Sequence, residues 1–418
     1  MQQGHNLLLP YERISQMETL TGARYTARRK TTDPRPERYL AGSGHNRYSR
    51  LPKPTSPVLR LNTICPYFTM FPLDFPFNRL QRATPGDWVL DPFCGRGTTN
   101  FAARLRGLPS VGVDSNPVAS AIAEAKFLDV GPRPVISLCK EILASTAQPS
   151  QIPTGEFWEF CFAEQTLVEL CKIREYLIEH CSTDAEIALR ALMLGILHGP
   201  RQKGRPTYLS NQMPRTYATK PDAAVRFWKE RNLLPQYVDV LDAVSRRANF
   251  SLAELPPRSS GYVYEADSRS FKIPTNGKLF RWVITSPPYL GMRTYRPDQW
   301  LRNWFLGGPS TVAYSQEKQL GHHRNEEFVR ELAKVWANIA SVCEPGARMI
   351  IRFGALPSCP TKPGPLLKRS LQLAECGWRV VTIRNAGRAS HGRRQAEQFN
   401  QETGEPVDEI DLYAVLER

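Results

Sequence analysis

Apolar residues recur along this chain in two rhythms, and the change from one to the other divides it. Short apolar runs bounded by Gly, Pro, Asn or Asp predict strands at 88–91, 111–114, 261–267, 281–285, 347–353, 378–384 and 409–416. Apolar positions at three- and four-residue steps predict helices at 100–106 and, between the second and third strands, at 157–180, 184–198 and 222–248. Strands that alternate with helices imply an α/β fold with a doubly wound, mostly parallel sheet, its last two strands an antiparallel hairpin at one edge. Residues 1–60 stand apart. Polar, Pro-containing and basic, with Arg28-Arg29-Lys30 and few apolar periods, they read as an arm rather than a domain. Residues 61–150 then form the first half of the sheet, 151–258 a mainly helical insertion, and 259–418 the second half.

Candidate chemistry gathers at strand ends. Asp91-Pro92-Phe93-Cys94-Gly95-Arg96-Gly97-Thr98 follows the first strand and leads into a helix. Glycines 95 and 97 let the backbone approach a ligand closely, and the helix start offers free N–H groups at the positive end of its dipole. Asn100 stands where the dinucleotide fingerprint has its third glycine, which disfavours NAD and FAD. The next strand ends in Asp114, about twenty residues beyond the glycine turn, the spacing at which an acid accepts ribose hydroxyls. The alternative is an ordinary helix-capping acid ahead of Asn116-Pro117.

The strand at 281–285 stops in Ser286-Pro287-Pro288-Tyr289. Two consecutive prolines remove two backbone donors and fix φ near −65°, so the ladder cannot continue. A rigid, donor-free turn carrying a hydroxyl and an aromatic ring suits the capture of an exocyclic amino group, with the ring stacked on the flat base that bears it. The plainer alternative is a Pro-rich turn with a packing tyrosine.

Taken together, the Asp91 to Thr98 turn and the Ser286 to Tyr289 turn resemble those of the S-adenosylmethionine-dependent amino-methyltransferases of DNA, which modify cytosine N4 or adenine N6. Two further matches are Tyr67-Phe68-Thr69-Met70-Phe71-Pro72, and Glu265-Ala266-Asp267-Ser268-Arg269 just before the fourth strand. The Ser-Pro-Pro-Tyr form is similar to the cytosine N4 branch, since the adenine branch usually carries Asp or Asn in place of Ser286. The resemblance covers roughly residues 60–130 and 260–418, and its order of parts is alpha-like. It implies a Rossmann-like methyltransferase sheet and S-adenosylmethionine as cofactor, released as S-adenosylhomocysteine. Phe68, Thr69, Asp91, Phe93, Gly95, Gly97, Thr98 and Asp114 would hold that cofactor, with Asp267 and Ser268 near its adenine. For Asp267 the alternative is a turn acid paired with Arg269. Ser286, Pro287, Pro288 and Tyr289 would form the catalytic turn acting on a flipped cytosine. The resemblance leaves open an N6-adenine DNA or RNA amino-methyltransferase, or a non-catalytic nucleic-acid-binding protein on the same fold.

Charge agrees with a double-stranded DNA partner: 55 Lys+Arg against 40 Asp+Glu give a formal net charge of +15 over 418 residues. Within the insertion, the stretch 199–215 carries Arg201, Lys203, Arg205, Asn211, Gln212 and Arg215, side-chain types that read bases and phosphates. The alternative is a surface connection. Arg293, and Arg388, Arg393 and Arg394 in the basic, Gly/Ser-broken stretch 385–399, are further phosphate candidates, whereas Trp300 and Trp304 at helical spacing are expected in the core. A cognate restriction endonuclease acting on the same site is the protein partner implied. Nine scattered cysteines without a Cys-x-x-Cys pair suggest free thiols in a reducing cytoplasm, and no metal site is expected. Cys65-Pro66 and Cys359-Pro360 reverse the Pro-Cys order of covalent cytosine C5 chemistry. No run of eighteen apolar residues calls for a membrane.

Overall fold

The computed structural model describes residues 47–67, 71–200, 204–212, 220–275, 277–291, 297–312, 325–356, 359, 361–388 and 408–417. Seven strands form one sheet: β1 Trp88–Asp91, β2 Ser110–Asp114, β3 Gly261–Glu265, β4 Phe280–Thr285, β5 Cys343–Phe353, β6 Trp378–Arg388 and β7 Asp408–Leu416. Their order across the sheet is β3-β2-β1-β4-β5-β7-β6. The first five are parallel, and β7 runs antiparallel to both β5 and β6. The hairpin expected at one edge is therefore present, with β7 inserted between β5 and β6.

Alternation on the strands explains why they read as unbroken apolar runs. On β1 and β4, Val89, Trp282 and Ile284 join the core on one face, whereas Leu90 and Val283 join the core on the other. Both faces are covered, as a parallel sheet requires. Helices Asn325–Ala340 and Pro363–Ala374 cover the second face. Helices Asp74–Arg79, Thr98–Leu105, Pro117–Glu124 and Pro132–Ala144 cover the first, together with five further helices between Pro132–Ala144 and β3 and the helix Trp300–Phe305. Trp300 and Trp304 are buried there against Trp158, as their helical spacing predicts.

Two predicted helices prove to be pairs. The 157–180 stretch divides into Glu156–Cys161 and Glu164–Glu179, because Phe162 and Ala163 are extended. Apolar Phe157, Trp158, Cys161 and Phe162 flank the break on the sequence, so periodicity does not register it. The 222–248 stretch divides into Pro221–Glu230 and Val240–Ser251. Here Pro235 disfavours helix in the residue before it, and the Asp239 side chain accepts the Asp242 N–H to start the second helix. The insertion also shares one continuous apolar core with the sheet rather than enclosing its own. Of the N-terminal stretch, residues 47–60 are packed: Arg106 donates to the Tyr48 and Ser49 carbonyls, and Pro57–Thr63 is a 3₁₀ helix. Residues 1–46 lie outside the described residues.

One buried cation closes the insertion onto the sheet. Arg104, fully buried, donates to the carbonyls of Lys126, Leu128, Pro256 and Pro257 at 2.7–3.1 Å. It thus joins the two chain segments that leave and re-enter the sheet. Burial draws its pKa down to about 10, so it stays charged at neutral pH. Arg104→Met should lower unfolding free energy by on the order of 3 kcal/mol or more, because several buried carbonyls lose their donor together. Urea titration measures this; a loss below about 1 kcal/mol would mean that water replaces the guanidinium.

Candidate active site

The strand order reverses between β1 and β4, and in open α/β sheets the crevice beyond the strands at such a point receives the ligand. Register Leu90↔Val283 brings the two tips level. As a result, the glycine turn after β1 and the Ser-Pro-Pro-Tyr turn after β4 are spatial neighbours although nearly two hundred residues separate them in the chain (Thr99 to Ile284, separation 185). Two hydrogen bonds fasten them. Thr99 Oγ1 donates to the Ile284 carbonyl at 3.2 Å, and Thr285 Oγ1 donates to Asp91 Oδ1 at 2.7 Å.

Around the first turn, Gly95 and Gly97 take φ of 51° and 78°, the left-handed region that suits glycine. A Cβ on Gly97 would also lie 2.9 Å from Ala123 Cα, so the turn and the helix Pro117–Glu124 touch through backbone. Asp91 is buried under this turn, where it accepts the Phe93 N–H at 3.1 Å. Desolvation pushes its carboxyl up to about 6 against the lowering effect of its hydrogen bonds. Thr98 is buried at the first position of the helix Thr98–Leu105, with Arg96 Nε 3.4 Å from its hydroxyl. Phe93 lies edge-on to Trp336 at 6.3 Å between ring centroids.

Asp114 ends β2 beside the same turn. Its Oδ2 accepts the Gly95 N–H at 2.9 Å and its Oδ1 accepts the Asn116 N–H at 2.8 Å. The helix-capping alternative fails, because Asn116 is the residue whose side chain accepts the Val118 N–H. Asn116 also donates to the Tyr67 hydroxyl at 3.1 Å, and burial, followed by the nearby Asp114 charge, holds that phenol well above its usual range. Asn116, Thr99 and Thr285 were absent from the sequence candidates; the Asn-Pro pair at the start of a helix was the one available signal.

Asp267 and Ser268 follow β3. The Ser268 hydroxyl donates to the Pro92 carbonyl at 2.6 Å, tying this turn to the glycine turn. Asp267 pairs with Arg269 at 2.6 Å, and Arg269 pairs in turn with Glu331. The turn-acid geometry weighed from sequence is thus present. It leaves open an additional contact by the same carboxylate.

At the second turn the two polar groups differ sharply. Ser286 is 4% exposed, and its Oγ is buried without a hydrogen-bond partner among the described residues. Tyr289 is 2% exposed, its hydroxyl donates to Glu409 at 2.7 Å, and its ring packs edge-on to Phe353 at 5.3 Å. Tyr289 was expected to stack on the base; its ring instead lies in the interior core, with its hydroxyl on the buried carboxylate that β7 supplies.

The nucleic-acid candidates separate. Asn211 is buried, and its amide donates to the carbonyls of Phe160 and Leu233, so it braces the loop and faces no base. The Gln212 carbonyl accepts the Trp228 indole N–H. Arg205 is exposed beside Asp242 at 3.6 Å. Arg388 ends β6. Phe68, Thr69, Arg201, Lys203, Arg215, Arg293, Arg393 and Arg394 lie outside the described residues. Among the described residues no three His, Cys, Asp or Glu side chains cluster to hold a metal, and no helix is long and apolar enough to cross a membrane.

A family model described as DNA methylase matches residues 45–125, the stretch that contains β1, the glycine turn, β2 and Asp114. No curated protein matches the sequence. Among solved structures, a SAM-dependent methyltransferase from Methanosarcina mazei is 10% identical, with 83% of this chain and 98% of that one covered and a TM-score of 0.30. The rRNA methyltransferase aviRa from Streptomyces viridochromogenes is 12% identical over 88% and 96% of the two chains, with a TM-score of 0.31. A TehB-like SAM-dependent methyltransferase from Corynebacterium glutamicum is 9% identical over 84% and 89%, again at 0.31. The doubly wound, mostly parallel sheet expected from the sequence is the fold of this chain.

Proposed function

We propose that this chain is a site-specific DNA amino-methyltransferase that uses S-adenosylmethionine and acts on the exocyclic N4 of a flipped cytosine, as the protective half of a restriction-modification system. The observation that carries the reading is the Ser286 hydroxyl, buried without a partner among the described residues at the tip of β4, which is fastened to the glycine turn by the Thr99 and Thr285 bonds. A buried hydroxyl without a partner costs about 1–3 kcal/mol and calls for a function. An amino hydrogen of the target base supplies the missing bond.

The cradle fits the cofactor. Glycine φ values admit a close backbone approach, the helix Thr98–Leu105 presents its N-terminus, and Asp114 stands at the end of the neighbouring strand to take a ribose. The sulfonium methyl of S-adenosylmethionine arrives already activated for displacement. The protein's task is therefore alignment, which can contribute about 7–11 kcal/mol. Cytosine N4 is a weak nucleophile because its lone pair is delocalised into the ring. Ser286 Oγ and the Pro287 carbonyl accept hydrogen bonds from its two amino hydrogens and draw the nitrogen toward a tetrahedral shape, while Tyr289, held in the core by Glu409, braces the turn. The family match over residues 45–125 supports methylation of DNA, and the serine at 286 supports cytosine. Arg205, with Arg201, Lys203, Gln212, Arg215, Arg293, Arg388, Arg393 and Arg394, forms the proposed phosphate- and base-contacting set.

Incubation with labelled S-adenosylmethionine and mixed DNA, followed by nucleoside analysis, tests this. N4-methylcytosine is the expected product. N6-methyladenine would move the pocket to the adenine reading, label in RNA alone would change the substrate, and no label in either would leave a non-catalytic binder. Tyr289→Phe should keep most turnover, whereas Tyr289→Leu should lower it about tenfold or more, because the cavity left in the core would let the turn that carries Ser286 and Pro287 shift out of alignment. Equal rates for the two variants would mean that Tyr289 does not brace the turn.

A further inference from the structure

The segment Leu61–Pro66, which leads into Tyr67, is gripped by three basic side chains from three separate parts of the fold. Lys126 Nζ, fully buried, donates to the carbonyls of Leu61 and Asn62, each at 3.2 Å. Arg247, on the insertion helix Val240–Ser251, donates to the carbonyls of Thr63 at 2.8 Å and Ile64 at 3.3 Å. Arg302, buried on the helix Trp300–Phe305 beyond the Ser-Pro-Pro-Tyr turn, donates to the Pro66 carbonyl at 2.8 Å. Five of six successive carbonyls thus accept from lysine or arginine nitrogens, and burial draws the Lys126 ammonium down to about 7. Beneath them the helix Asp184–Ile196 comes so near that a Cβ on Gly195 would lie 2.5 Å from the Ile64 carbonyl oxygen.

Three buried or half-buried basic side chains are more than a surface loop needs. Desolvating a cation is unfavourable by several kcal/mol, and carbonyl oxygens compensate for it less well than a carboxylate does. What the arrangement achieves is a fixed position for Tyr67, whose hydroxyl meets Asn116, whose backbone N–H in turn meets Asp114. We infer that Lys126, Arg247 and Arg302 are positioning residues that lock this strap against Asp114, so that the insertion and the β4 side of the fold both set the shape of the cofactor cradle. The inference rests on the proposed cofactor reading of Asp114 and assigns no contact between the three basic side chains and the cofactor.

Isothermal titration of the full-length protein with S-adenosylmethionine tests it without knowledge of the target sequence. Arg247→Ala should weaken cofactor binding about tenfold, and Arg247→Lys should recover most of that loss. Tyr67→Phe, which removes one hydroxyl and keeps the ring, should weaken it about threefold to tenfold even if Arg247→Ala folds poorly. Melting curves without cofactor supply the second readout. A lower melting temperature for Arg247→Ala with unchanged affinity for it and for Tyr67→Phe would make the contacts merely structural and overturn the inference alone. Wild-type protein that takes up no S-adenosylmethionine would overturn the reading of the site, and the inference with it.

Discussion

Replacing Ser286 by alanine is expected to lower methyl transfer by on the order of 10²-fold while cofactor affinity stays within about twofold and the protein becomes no less stable. The first part follows from removing a fixed partner that acts on the reacting nitrogen; losses of this kind for a single preorganised hydrogen-bonding group lie near 10²–10³-fold. The second follows from the architecture, since the cradle is built by β1, β2 and the helix Thr98–Leu105, none of which the Ser286 hydroxyl hydrogen-bonds. The third is a sharper consequence. A buried hydroxyl without a partner among the described residues is a liability of about 1–3 kcal/mol in the free protein, so its removal should leave the melting temperature unchanged or raise it. Loss of activity together with higher stability would mark Ser286 as strain held for function. A clear fall in melting temperature would instead mean that the hydroxyl has a structural partner, and equal loss of cofactor binding would end the division between the two turns.

Asp114→Ala should have the other large effect, on both binding and folding. Its two carboxylate oxygens hold the Gly95 and Asn116 N–H groups, so the truncated side chain frees two backbone donors at the ends of two turns. A destabilisation of about 1–3 kcal/mol is expected from these alone. Cofactor affinity should fall by on the order of 10²-fold, because the glycine turn loses its anchor and a ribose loses its acceptor at the same time. Asp114→Asn separates the two effects. One amide oxygen can keep one backbone bond, so the asparagine variant should regain part of the stability and little of the affinity. Calorimetric titration paired with thermal melting reads both quantities; full cofactor affinity in Asp114→Asn would sink the ribose assignment.

Much of the fold was legible because each strand carries its own signal. Trp88 to Asp91, Ser110 to Asp114 and Phe280 to Thr285 are short apolar runs closed by Pro, Gly or Asp, and the sheet buries both of their faces. Helix breaks were less legible. Phe162 is apolar and in phase with its neighbours, so nothing local announces that it is extended. Asn211 shows the same limit for function: its residue type suits base reading, yet burial turns its amide toward the carbonyls of Phe160 and Leu233. Residue type states what a side chain can do, and packing decides what it faces.

By itself the sequence determined two turns of unusual chemistry, Gly95-Arg96-Gly97 and Ser286-Pro287-Pro288-Tyr289, and the strands that end in them. Glycine conformational freedom and proline's missing donor are local properties, independent of the rest of the chain. Only the tertiary structure decided that these turns meet, because adjacency of β1 and β4 depends on strand order and register. The same holds for the Thr285 bond to Asp91, the Glu409 bond to Tyr289 and the grip of Lys126, Arg247 and Arg302 on Leu61–Pro66. Each joins residues far apart in the chain through groups that are common in any protein, and their meaning arises from burial, where every donor must find an acceptor.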